Sequence, residues 1–167
     1  GAVLSMSHGL NYGVRKAGAT IAGLQLGLLL LLLVAGAGVG SLLIASETAF
    51  SVVKVLGACY LIWVGWNQWR AGEASPLQGQ AEGSAGTWQK RCFTGFLTNA
   101  TNPKGIVFMV AVLPQFMTPN RPLWTQLLAL AATSVVVDTL VMHGYAAGAS
   151  QLRRFMRSAR ALRMQNR

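Results

Sequence analysis

Acidic side chains are nearly missing from this sequence. Four Asp and Glu stand against 14 Lys and Arg, for a net charge of +10. Charged residues of both signs reach only 11%, against about 25% in soluble domains, which excludes an ordinary soluble fold. Cysteine is scarce too. Cys59 and Cys92 form no Cys-x-x-Cys motif or Cys/His cluster, so a disulfide framework, a zinc site and a thioredoxin-like motif have no support. There is no Gly-x-x-x-x-Gly-Lys-[Ser/Thr] segment to cradle a nucleotide phosphate. The chain is not read as an enzyme, and no cofactor or metal is expected. No basic stretch precedes an apolar one at the start, so a signal-peptide layout is missing. Residues 1–7 read as the end of a helix whose first part lies upstream.

What the chain has is apolar length. Hydrophobic residues make up 53% of it and fall in blocks, and about 20 mostly apolar residues cross a bilayer as a helix. The expected fold is an all-α membrane protein, a polytopic bundle with four complete spans and the end of an earlier one. The spans are placed at residues 17–45, 50–69, 92–116 and 123–149. The first carries Ala35-Gly36-Ala37-Gly38, small residues that let helices approach closely. The second ends in Trp63, Trp66 and Trp69, an interfacial aromatic belt. The third is interrupted by Asn102-Pro103-Lys104-Gly105, where proline removes a backbone donor and glycine loosens the turn; a broken helix is expected there.

Residues 1–150 thus read as a transmembrane domain, with a Gly/Ser-rich loop at 70–91 and a basic tail at 151–167; that this domain is a transporter is what the resemblance given below implies. Eleven of the basic residues flank alternate ends of the spans: Arg15, Lys16, Arg70, Lys90, Arg91 and the six arginines of the tail. Arg121 alone occupies the other side. By the positive-inside rule the loop and tail face the cytoplasm. Basic residues spread between spans suit anionic lipid rather than nucleic acid. The tail is either an amphipathic helix on the membrane surface, with Arg153, Arg157, Arg160 and Arg167 on one face, or a plain basic loop.

Asp138 is the most informative single residue, the one acid well inside a span. A charge there costs about 2.5–3.5 kcal/mol on insertion scales, so it faces a polar cavity or a partner. It is either a proton acceptor or a structural carboxylate holding helices together. A rise of about 1.5 Å per residue puts Gln25, Lys104 and Asp138 at neighbouring depths, and Lys54 only about 6 Å below the outer edge. Gln25 either bonds a substrate or bridges helices. Around the break, Asn102, Pro103 and Lys104 expose backbone groups and a cation suited to a carboxylate, or form a kink with Lys104 paired internally; Asn99, one turn earlier, shares that cavity or simply packs. Lys54 either closes an outer gate or snorkels to the interface. Pro114 and Gln115 end a helix, with gating the alternative for Gln115. His8 and His143 are able to titrate, and no further role is read for them.

Residues 1–15 (GAVLSMSHGLNYGVR), 22–27 (AGLQLG), 54–65 (KVLGACYLIWVG), 99–104 (NATNPK) and 113–116 (LPQF) resemble, in this order, the lysine-exporter (LysE) superfamily and most of all its RhtB branch of homoserine and threonine efflux proteins. The likeness covers nearly the whole chain. It implies a six-helix inner-membrane exporter driven by the proton gradient and built from inverted three-helix repeats, of which this chain lacks parts at both ends. Gly1-Ala2-Val3-Leu4 echoes Gly105-Ile106-Val107-Phe108, the residues after each expected break. Partners implied are a small amino acid, protons and lipid, and a homodimer stays open. Two other classes compete. One is a membrane scaffold using its basic tail; the other is a thiol-redox membrane protein, which would need the paired cysteines missing here.

Overall fold

A computed structural model describes residues 1–70 and 86–165. These residues form helices only: α1 (Ala2–Tyr12), α2 (Val14–Ala45), α3 (Glu47–Arg70), α4 (Trp88–Ala100), α5 (Pro103–Phe116) and α6 (Leu123–Gln165). Three of them include stretches long and apolar enough to cross a membrane, Val14–Leu42, Glu47–Asn67 and Leu123–Arg153. The third expected span is divided between α4 and α5.

Local chemistry sets the boundaries. Gly13 adopts φ 80°, a conformation costly for any residue with a Cβ, and so turns the chain from α1 into α2. Ser46 alone separates α2 from α3; its Oγ accepts from the Ala49 amide at 3.1 Å and caps the new helix. At the break, Asn102 is the N-cap of α5 and its side chain accepts from the Lys104 amide at 3.1 Å. Pro103 follows in the first turn, where its missing N–H costs nothing. The interruption expected at Asn102-Pro103-Lys104-Gly105 is therefore a capped start of a helix.

Two boundaries differ from expectation. α4 begins at Trp88 rather than near residue 92, because Thr87 caps it: the Lys90 amide donates to Thr87 Oγ1 at 3.3 Å. Lys90 and Arg91 thus belong to a helix, while residues 71–85 of the expected loop lie outside the described residues. At the other end, α6 runs unbroken to Gln165. The side chains that would give the tail its two faces, from 156 onward and Arg154, lie outside the described residues as well; Leu152 and Phe155 are exposed.

The chain divides into two compact units. The first holds α1, α2 up to Leu26, α4 up to Thr98 and α6 from Val136. Its helices meet at backbone distance. A Cβ on Gly9 would overlap the Ala146 backbone, one on Gly23 the Cys92 carbonyl, and one on Gly95 the Thr20 carbonyl. Ala17, Ile21 and Ala146 form its small core, with Met142 against it.

The second unit holds α2 from Gly27, α3, α5 and α6 up to Val135. Its core is wholly apolar: Leu32, Ala35, Val39, Phe50, Met109, Leu113, Met117 and Leu127. Gly36 and Gly40 make room for Leu127 and Leu123, and Gly57 brings α3 onto the Ala111 backbone of α5. The rest of α3 is a hydrophobic exterior, with Val52, Val55, Leu56, Ile62, Trp63 and Trp66 exposed. A patch of that kind on a 24-residue helix suits acyl chains rather than water.

Candidate functional site

Five polar side chains are buried among the described residues: Ser5, Ser7, His8, Thr20 and Gln25. All five belong to the first unit, on α1 and the N-terminal half of α2. Asp138, half-buried on α6, belongs to it too. One unit is therefore polar inside and the other greasy.

The centre of the polar unit is Gln25 with Asp138. Gln25 Nε2 donates to Asp138 Oδ2 at 2.7 Å. A hydrogen bond to an ionised acceptor is roughly twice as strong as a neutral one, and here it meets the cost of a carboxylate inside a membrane span. The same side chain carries an unmet demand: Gln25 is 7% exposed, and no described residue donates to its Oε1. A buried acceptor left so costs about 1–3 kcal/mol. The start of α1 closes on the same region, since Gly1 lies against Met142 of α6 and Leu24 of α2.

A second polar contact ties α1 to α2. His8 Nδ1 and Thr20 Oγ1 are hydrogen-bonded at 2.5 Å, and the His8 ring meets Tyr12 edge-on with centroids 5.4 Å apart. His143, on α6, donates from Nδ1 to the Thr139 carbonyl at 2.8 Å, which fixes its tautomer. Ser5 Oγ reaches Met142 Sδ at 3.5 Å. Arg153 donates to the Leu10 and Asn11 carbonyls, both at 2.7 Å, and so caps the C-terminal end of α1.

Of the candidates read from the sequence, Gln25 and Asp138 are thus joined directly. Asn99, Asn102, Pro103, Lys104, Lys54 and Gln115 belong to the second unit. There Lys104 is exposed, and the Asn99 carbonyl accepts from the Asn102 amide at 3.2 Å. Gln115 Nε2 donates to the backbone carbonyl of Lys54 at 2.7 Å, so it fastens α5 to α3 through the main chain, not through the lysine ammonium. Cys59 is exposed in this unit, and Cys92 lies half-buried in the other. The sequence reading assigned no role to His8 and missed Thr20. The available signal was a pair of polar residues at i and i+3 on α1, Ser5 and His8.

Apolar helices fastened at glycines and long enough to cross a membrane, with the buried polar side chains among the described residues gathered in one unit, define a polytopic helical membrane protein. The sequence matches the family described as LysE type translocator over residues 1–167, and the chain belongs to that family of membrane translocators. A homoserine/homoserine lactone efflux protein of Salmonella typhi is 41% identical over 99% of this chain and 80% of its own length. A membrane protein of Vibrio cholerae serotype O1 is equally similar, at 41% over 99% of the chain and 80% of its own. A leucine efflux protein of Klebsiella pneumoniae is 33% identical over 69% of the chain and 54% of its own. No solved structure matches.

Proposed function

We propose that this protein exports small amino acids or their derivatives, such as homoserine, homoserine lactone or a threonine-like compound, across the bacterial inner membrane in exchange for protons. The observation that carries the reading is the Gln25–Asp138 contact. A carboxylate that a transporter must protonate and deprotonate needs a partner able to serve both states. An amide is such a partner, because it donates to the anion through N–H and accepts from the acid through its carbonyl. Membership of a translocator family and efflux relatives at 41% identity support the substrate class.

In this reading Asp138 takes up a proton from the outside and releases it inside, while substrate moves the other way. The loop at 70–91 and the tail face the cytoplasm, in keeping with eleven of the 14 basic residues flanking that side. In this reading the helix break also contacts substrate, as broken transporter helices do, and Asn102, Pro103 and Lys104 are the residues that do so. Lys54 and Gln115 serve as the α3–α5 fastening, with gating following from any loosening of it.

The testing experiment is efflux from cells or proteoliposomes carrying the full-length protein, with a panel of amino acids and with or without an uncoupler. Export that stops with the uncoupler and with Asp138→Asn supports the reading. Normal export by Asp138→Asn removes that carboxylate from the mechanism. A scaffold would instead lose its role on deletion of the basic tail and export nothing at any stage.

A further inference from the structure

Gln25 has one polar end engaged and the other exposed to demand. Its Nε2 is committed to Asp138 Oδ2 at 2.7 Å. Its Oε1, buried on a side chain 7% exposed, has no donor among the described residues. We propose that Gln25 Oε1 and the Asp138 carboxylate together seat the ammonium group of the substrate, so that substrate and proton compete for one carboxylate. This rests on the efflux reading above and specifies what the site recognises.

Covalent geometry makes the seat feasible. The oxygen and nitrogen of a planar amide lie about 2.2 Å apart, so Oε1 is within about 5 Å of Asp138 Oδ2. An ammonium nitrogen making two bonds of about 2.8 Å bridges acceptors up to about 5.6 Å apart. One nitrogen therefore reaches both. The chemistry is selective as well. Both atoms are acceptors and one is anionic, so the group that satisfies them must bring at least two N–H donors and a positive charge. A primary ammonium does so; a carboxylate is repelled, and an acylated amine has lost its charge. The recognised element is then the amino end of the molecule, which homoserine, its lactone and threonine share, whereas the lactone has no free carboxylate.

Exchange follows from the same arrangement. With Asp138 protonated, its O–H has no charge to offer an ammonium. When the ammonium enters, the Asp138 O–H bond breaks and that proton passes to water. The ammonium keeps its own three protons and forms the ion pair. The swap is one positive charge for another.

Binding to the purified full-length protein in detergent tests this, with proton release followed by a pH dye in weak buffer across several pH values. The probes are homoserine, homoserine lactone and their N-acetyl derivatives. Free amines should bind with release of up to one proton, and N-acetyl forms at least about tenfold more weakly without release. Gln25→Leu should narrow that difference about tenfold. Asp138→Asn should abolish release. N-acetyl probes binding as well as free amines would overturn the ammonium seat while leaving export standing, as would an undiminished difference in Gln25→Leu. Absence of binding by every probe, together with absence of export, would overturn both readings.

Discussion

Gln25 and Asp138 stand 113 positions apart in the sequence, yet the amide nitrogen of one lies 2.7 Å from a carboxylate oxygen of the other. The contact fastens α2 to α6 inside the only unit with buried polar side chains among the described residues. It has opposite consequences for the two partners. Asp138 gains a donor that makes its charge tolerable, and Gln25 is held in a pose that strands its own oxygen.

That asymmetry separates two substitutions. Asp138→Asn should remove proton-coupled export and leave membrane insertion intact, because an amide pair still hydrogen-bonds across the helices. Export assays on equal amounts of inserted protein decide it. Asp138→Leu is expected to be worse for stability, since it leaves both ends of the buried Gln25 amide unmet, at about 1–3 kcal/mol.

The helix crossings predict a different pattern. Gly95→Val should destabilise the first unit by about 1–3 kcal/mol or more, since the new side chain would meet the Thr20 carbonyl and force α4 away from α2. Gly144→Ala has open space around its Cβ, and removing a helical glycine there should be neutral or stabilising by up to about 1 kcal/mol. Thermal unfolding in detergent distinguishes the two.

At the break, the capping role of Asn102 is separable from any role in transport. Asn102→Ala should cost about 1 kcal/mol of stability through the lost bond to the Lys104 amide, and Asn102→Asp should restore most of it. If Asn102→Asp regains stability and not export, the residue also contacts substrate. If it regains both, the residue is a cap.

His8 and Thr20 should be coupled. Thr20→Val leaves a buried imidazole nitrogen without its partner, and the double substitution with His8→Phe should cost less than the sum of the singles by about 1 kcal/mol. A double-mutant cycle on unfolding temperature checks it, and additive effects would show that the contact contributes nothing.

The sequence by itself determined that this is a helical membrane protein. Long apolar blocks have one solution in a bilayer, because every backbone polar group must be satisfied within the segment. It also determined the break at Asn102-Pro103, since proline and a capping asparagine act on their immediate neighbours, and it marked Asp138 as a residue that needs company. Only the tertiary structure decided what that company is. Depth along a helix axis is readable from residue counts, and it grouped Gln25, Lys104 and Asp138; rotation about the axis and the choice of neighbouring helix are not readable in that way. The glycines at 9, 23 and 95 bring backbones together at faces that a nearly uniform apolar surface does not announce. That packing turns Gln25 onto Asp138 and His8 onto Thr20, and it gathers the buried polar side chains in one unit while the other closes around hydrocarbon.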